Sequence, residues 1–290
     1  MAGYQLITDA TADLSLPLMQ SLAVEVIPME VIVEGAAYTF APEGGSITQE
    51  EFFAAMREGK NVGTSQITPA VYEMYFEKHL SAGVDVLYVC FSSNLSGMAA
   101  TASSSMEALR EKYPNRKLIC IDSLCASVGE GFLVYAAAQL KQQGMAIEEL
   151  ADWLLQHRLR VCHWFTVADL QQLQRGGRLS ATTAKLGTAL NIKPVLHVDD
   201  EGRLVYAAKT RGRKKSLIAL ADHMDETWTP ELGKTVFIAH GDALDDAEYL
   251  KKRVLKRHAE AQVTILPLGP VIGAHTGPGV IALFFFGSQR

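Results

Sequence analysis

The stretch Val84-Asp85-Val86-Leu87-Tyr88-Val89-Cys90-Phe91-Ser92-Ser93-Asn94-Leu95-Ser96-Gly97 decides the fold of this chain. Residues 84–91 are almost continuously apolar and rich in β-branched and aromatic side chains, which suits a strand buried on both faces. Residues 92–97 are small and polar, and a helical pattern runs on over 97–112. Strand, small polar turn and helix form the unit of a parallel sheet covered by helices. The unit recurs at once: 117–121 reads as a strand, Asp122-Ser-Leu-Cys-Ala-Ser127 as its turn, and 128–142 as its helix.

Upstream, 4–8 is a buried strand that ends in Asp9-Ala-Thr-Ala-Asp13, and 24–33 is strand-like but interrupted by Pro28. Thr48-Gln49-Glu50-Glu51 is a capping box that opens a helix through about residue 58. Thr68-Pro69 supplies a hydroxyl cap with proline at the first helical position. Val71, Tyr75 and Leu80, with Tyr72 and Phe76 beside them, give that helix its apolar face.

Downstream, an amphipathic helix over 147–159 leads to a new strand at 161–166. Two helical pieces flank Arg175-Gly-Gly-Arg178, and strands 193–198 and 203–209 are separated by the hairpin signal Asp199-Asp-Glu-Gly202. Helices near 214–226 and 242–258 alternate with strands 235–240 and 262–266. A last strand, 280–286, follows the loop Gly273-Ala-His-Thr-Gly-Pro-Gly279. The fold class is α/β, with an N-terminal parallel-sheet domain over 1–160 and a C-terminal mixed α/β domain over 161–290. A length of 290 residues suits two domains.

Composition narrows the function. Nearly half the residues (48%) are hydrophobic, enough for sizeable cores. The net charge is −5, which argues against a generic nucleic-acid binder. The start of the chain lacks the basic and apolar segments of a secretion signal, and its longest strictly apolar runs fall far short of the ~20 residues a spanning helix needs. A cytoplasmic location is expected. Cys90, Cys120, Cys125 and Cys162 show no C-x-x-C pairing and read as small, reduced core residues. The histidines lack metal-ligand spacing, and neither a phosphate loop nor a dinucleotide fingerprint is present.

In a parallel sheet, ligands lie beyond the carboxyl ends of the strands, so the serine-rich turns are where chemistry belongs. Gly63-Thr64-Ser65-Gln66 and Ser92-Ser-Asn-Leu-Ser96-Gly97 both offer hydroxyls and backbone N–H groups before a helix. Together they suit a small anionic head, whereas singly each motif need only cap its helix. His275-Thr-Gly-Pro-Gly279 could hold an imidazole at a cleft edge, although a lone loop histidine is more often a packing residue. Arg175-Gly-Gly-Arg178 and Lys209-Thr-Arg-Gly-Arg-Lys-Lys215 are basic, and solvated charge explains them equally well.

The whole set, in order, resembles the DegV family of bacterial fatty-acid-binding proteins. It comprises Ile7-Thr-Asp-Ala-Thr-Ala-Asp-Leu14, Gly63-Thr-Ser-Gln66, Ser92-Ser-Asn-Leu-Ser-Gly97, Ile121-Asp-Ser123, Leu170-Gln-Gln-Leu-Gln-Arg-Gly-Gly-Arg-Leu-Ser180, Lys209-Thr-Arg211 and His275-Thr-Gly-Pro-Gly279. The resemblance implies a two-domain α/β protein with a long-chain fatty acid as its ligand and no other cofactor. It further implies that the protein is a non-catalytic carrier, presenting the acyl carboxylate to a separate ATP-dependent fatty acid kinase. By motif, Thr64, Ser65, Ser96 and Gly97 would hold the carboxylate with His275 nearby, and Arg178 and Arg211 would face the kinase or the acyl phosphate. Ile67 and Met98-Ala99 depart from the family's usual residues beside the head-group turns.

Two other readings compete. A lipid esterase or thioesterase would use Ser96 as nucleophile, His275 as base and an acid such as Asp9 to orient it, but Ser96 does not lie in a G-x-S-x-G elbow. A phosphate- or nucleic-acid-binding module would rest on residues 209–215.

Overall fold

The computed structural model describes residues 3–168, 170–179 and 191–290. Three sheets organise them. The first is parallel, in the order β2-β1-β6-β7, from β1 (Tyr4–Asp9), β2 (Glu25–Ile27), β6 (Asp85–Cys90) and β7 (Leu118–Asp122). The second is a small antiparallel sheet in which β3 (Met29–Val33) lies between β4 (Ala36–Phe40) and β5 (Val62–Thr64). The third is mixed, in the order β10-β9-β8-β13-β11-β12. Its strands are β8 (Val161–Thr166), β9 (Ile192–Val198), β10 (Leu204–Arg211), β11 (Thr235–His240), β12 (Gln262–Pro267) and β13 (Ile281–Phe286). In this sheet only the β11–β12 pair is parallel.

The helices are α1 (Leu16–Leu22), α2 (Gln49–Arg57), α3 (Pro69–Leu80), α4 (Met98–Lys112), α5 (Val128–Gln142), α6 (Ile147–His157), α7 (Gln171–Arg175), α8 (Arg213–Thr227), α9 (Leu244–Arg257) and α10 (Pro270–Thr276). Helix α5 touches β6 of the parallel sheet on one side and β8, β11 and β13 of the mixed sheet on the other. Its sequence is apolar nearly all round for that reason. Phe132 of α5 packs edge-on against Phe286 and Phe237, at 4.8 and 5.3 Å between ring centroids. One continuous core therefore runs from Tyr4 to Phe286. A second core lies between the opposite face of the mixed sheet and helices α8 and α9. Strand β13 alternates between them, with Ala282, Phe284 and Phe286 in the first and Ile281, Leu283 and Phe285 in the second.

Several sequence expectations meet corrections. Residues 24–33 are two strands, because Pro28 cannot donate to a ladder; β2 stays in the parallel sheet and β3 starts the antiparallel one. Glu34 and Gly35, both at positive φ (51° and 81°), turn β3 into β4 with the twist a two-residue hairpin favours. The capping box at α2 forms as read, with both the Thr48 and Glu51 side chains engaged. Thr68 and Pro69 do open α3, but the Thr68 hydroxyl makes no cap bond. The buried face of α3 is Tyr72, Phe76 and Leu80, with Val71 and Tyr75 at its margin. Residues 273–276, expected in the loop 273–279, belong to helix α10. Ser180 and the helical piece expected after Arg178 lie outside the described residues. Cys90, Cys125 and Cys162 are buried, Cys120 is half-buried, and all are free thiols.

Candidate functional site

Strand β6 delivers the serine turn. Ser92 is buried, and its hydroxyl donates to the Gly202 carbonyl at 2.8 Å, while the Asn94 side-chain amide donates to the Glu201 carbonyl at 2.7 Å. These bonds dock the β9–β10 hairpin tip onto the turn. Gly202 is required there: its φ is +76°, and a Cβ would lie 2.3 Å from Ser92 Oγ. Ser92 is therefore a scaffold residue, whereas Ser96 lines a cavity.

Strand β5 ends at Thr64, held opposite Val31 in the antiparallel ladder, and the Ser65 N–H donates to the Glu30 carbonyl at 3.1 Å. Thr64, Ser65 and Gln66 line the same cavity as Ser96. Gln66 joins the two turns, since a Cβ on Gly97 would fall 3.2 Å from its Oε1. Gly97 is the N-cap residue of α4.

His275 sits in the last turn of α10, which packs against α7, β5 and β3. Its Nε2 lies 3.0 Å from Thr64 Oγ1. Its Nδ1 is buried without a hydrogen-bond partner, facing Gly176, where a Cβ would intrude to 2.3 Å. Burial, with the Arg178 guanidinium nearby as a lesser cause, lowers the His275 pKa to about 4, so the ring is neutral at pH 7. A neutral imidazole has a single N–H. Placed on Nε2, it donates to Thr64 Oγ1 and leaves the threonine's own proton for an anion in the cavity; the unpaired Nδ1 is then only a lone pair. The opposite tautomer would strand a buried N–H donor at Nδ1 and consume the threonine proton.

Arg178 also lines the cavity, half-buried beside Thr64 and His275. Its Nε donates to the Leu95 carbonyl at 3.1 Å and its Nη1 to the Gly176 carbonyl, which ties the Arg-Gly-Gly-Arg turn to the serine turn. Burial pushes its pKa down from the usual guanidinium value. Arg211 ends β10, exposed, and does not line the cavity.

The cavity has a volume of about 170 Å³. Its polar end carries Thr64, Ser65, Ser96, His275 and Arg178, beside a vestibule of about 290 Å³ that Lys60 and Arg175 also border. Its walls are apolar: Phe91, Leu95 and Met98 from the serine turn and α4, Leu173 from α7, Val271 and Ile272 from α10, and Phe165, Ala282 and Phe284 from the mixed sheet. Thr11, Gln66, Ser127, His163 and Thr276 also line it as polar residues. His163 is fully engaged and neutral, since Nδ1–H donates to the Val161 carbonyl (2.9 Å) and Nε2 accepts from the Ala126 N–H (3.3 Å). Burial holds its pKa far below the ordinary histidine value.

An apolar slot closed at one end by hydroxyl donors and the Arg178 guanidinium suits an amphiphile with an anionic head. Each buried methylene contributes about 0.8 kcal/mol, and hydrogen bonds offset the desolvation of the head. The hydrolase arrangement is not assembled. The hydrogen bond of His275 goes to Thr64 rather than Ser96, and the Asp9 carboxylate is occupied by Thr11 and Tyr88. The basic stretch 209–215 is likewise partly spent within the fold, since Arg213 pairs with Asp246 at 2.7 Å. Among the described residues no cluster of three or more His, Cys, Asp or Glu side chains could hold a metal ion, and no helix is long and apolar enough to cross a membrane.

Comparison with known proteins places this architecture. Residues 4–288 match the family model described as an uncharacterised protein of the DegV family. The chain belongs to the DegV family. A DegV domain-containing protein of Clostridium perfringens is 36% identical over 290 residues, covering 100% of this chain and 99% of the relative. A DegV protein of Thermus thermophilus, described for its fatty acid binding, is 31% identical with a TM-score of 0.86, covering 98% and 99% of the two chains. A fatty acid binding DegV protein of Streptococcus agalactiae is 26% identical with a TM-score of 0.84 over 100% of both chains. A stearic acid-binding protein of Eubacterium ventriosum, at 23% identity and a TM-score of 0.86 over 97% of both chains, shares the DegV fold.

The structure brings Thr64, Ser65, Ser96 and His275 of the sequence reading to one end of this cavity, whereas Gly97 does not line it. Sequence reasoning missed Arg178 as a lining residue and all of the apolar wall, because those side chains come from elements far apart in the chain.

Proposed function

We propose that this DegV-family protein binds a long-chain fatty acid, with its tail in the apolar slot and its carboxylate against the hydroxyls of Thr64, Ser65 and Ser96 and the Gly97 N–H. The observation that carries this reading is the convergence of Thr64, Ser96 and His275 at one end of an otherwise apolar cavity. The likeness to a fatty-acid-binding DegV protein at 31% identity supports it. Neutral hydroxyls hold a carboxylate without a tight ion pair and leave it reactive, which suits a carrier with no catalysis of its own.

The polar vestibule beside the head supports presentation of the carboxylate to a separate ATP-dependent kinase. Arg178 then steadies the head or the acyl phosphate, and Arg211 stands on the surface available to the partner. In this reading residues 1–160 and 161–290 are two domains with the ligand held between or beside them. The protein works in the cytoplasm, feeding acyl phosphate to phospholipid metabolism, with at most transient membrane contact. Denaturing mass spectrometry of the purified protein should release long-chain fatty acids, and adding the kinase with ATP should convert them to acyl phosphate. Lipid-free preparations that also fail to bind fatty acid in titration would refute the proposal.

A further inference from the structure

Under the acyl slot lies a cluster of buried carboxyl groups that head-group binding does not use. Asp9 and Glu130 are fully buried and Asp13 is 6% exposed, yet none forms an ion pair among the described residues. Thr11, which lines the slot, joins the first two: its hydroxyl contacts Asp9 Oδ1 and lies 2.8 Å from Glu130 Oε2. Thr8 Oγ1 lies 3.0 Å from the Val89 carbonyl and 2.9 Å from Glu130 Oε1. Each threonine has one hydroxyl proton and two acceptor neighbours, and a carbonyl cannot donate. Four contacts share two hydroxyl protons, and a carboxyl proton turns a third into a hydrogen bond.

The donors decide which one. Asp9 accepts from the Thr11 N–H (2.9 Å), the Tyr88 hydroxyl (2.6 Å) and the Thr11 hydroxyl, the pattern of an ionised carboxylate. Glu130 has only the two threonine hydroxyls. With a proton on Oε1 it donates to Thr8, which donates to Val89, and Thr11 donates its single proton to Asp9 Oδ1, so three of the four contacts are hydrogen bonds. We infer that Glu130 is held as the neutral acid and that filling the slot with hydrocarbon is linked to keeping that proton. This rests on the fatty-acid reading above. A tail against Thr11 lowers the polarity beside a pair already shut off from water, and so disfavours a charge on Glu130 further. By linkage, loss of the proton weakens tail binding.

The groups facing Glu130 are consistent with this. They are Asp9 and Asp13 from β1 and its turn, Cys90 from β6 and Cys125 after β7, with Tyr88 and Tyr72 beyond Asp9. His163 of β8 packs on Gly129 and is neutral, and the Arg290 guanidinium is spent on Cys125 Sγ and the carbonyls of Leu124, Arg158 and Asp199. Burial raises Glu130 well above its ordinary value of 4.5 and Asp13 to about 7.

The test is E130Q, an isostere of the neutral acid, titrated with stearic acid from about pH 7 to about pH 9. Wild-type affinity should fall with pH by up to about tenfold per unit, and E130Q should be flat over the same range. The folded state holds the proton, so wild-type stability should also decline with rising pH above the unfolded value. Above about pH 7, where Asp13 no longer adds a slope of its own, E130Q should lack this decline, about tenfold per pH unit in the unfolding constant. An infrared difference spectrum between the two should contain a protonated-carboxyl band in wild type. An E130Q protein that does not fold, the same pH slope in both proteins, or absence of the band overturns the inference. Failure of wild type to bind stearic acid at any pH overturns the fatty-acid reading instead, and the unfolding and infrared results still decide the state of Glu130.

Discussion

The head-group geometry can be tested by Thr64→Val, which keeps the shape and β-branching of the side chain and removes only the hydroxyl. The pairing of residue 64 with Val31 is through the backbone, so β5 should persist. Two interactions are lost. The hydrogen bond to the carboxylate is charge-assisted and contributes about 2 kcal/mol. The second is the contact at 3.0 Å to His275 Nε2, whose N–H is left without a partner beside an Nδ1 that already lacks one. That penalty is about 1–3 kcal/mol, part of it relieved by water entering from the vestibule. The first loss alone weakens binding about 30-fold. The second loss is present in the free and the bound protein alike, so it lowers stability rather than adding to the loss of affinity. The assay is displacement of a fluorescent fatty acid at pH 7, with Thr64→Ser as a control that restores the hydroxyl and most of the affinity. A Thr64→Val protein that binds within about threefold of wild type would refute the role assigned to Thr64.

Gly176→Ala places a methyl 2.3 Å from His275 Nδ1, and should lower fatty-acid affinity about fivefold by dislodging the ring from Thr64; titration checks this. Ala282→Leu pushes bulk from β13 into the slot, so binding should drop for long acyl chains more than for short ones in a chain-length series. His275 is depressed to about 4 from 6.5, so its contribution to stability is complete above pH 6.5 and lost as pH falls toward 4. Its ceiling is about 3 kcal/mol. Urea unfolding should show His275→Gln losing less stability than wild type between pH 7 and pH 4.5, and equal losses would contradict the buried neutral imidazole.

Sequence legibility followed the range of the forces involved. The strand at Asp85–Cys90, the helix after it, the α2 capping box and the Asp199–Gly202 hairpin are local patterns of period or turn chemistry, and they were readable. Helix α10 was not. The stretch 273–279 that it enters is rich in glycine and includes Pro278, a loop signal by composition, yet Pro270 starts a helix that packing against α7, β5 and β3 sustains through Thr276. The α3 face was mistaken by one position because Val71 and Tyr72 are both apolar. Only the Tyr72 hydroxyl, 3.1 Å from that of Tyr88, connects to a core polar network that periodicity does not express.

The amino-acid order alone determined that the chain folds as α/β units with hydroxyl-rich turns at strand ends, because strand period, caps and turns depend on neighbours in the chain. It also carried the motifs of the DegV family. Only the tertiary structure decided that Thr64 meets His275 across more than two hundred residues, and that the mixed sheet closes an apolar slot over the serine turn. The same is true of Asp9 and Glu130, left to share buried threonine hydroxyls without a cation. Burial and proton sharing are properties of surroundings, and those surroundings exist only once distant segments have packed.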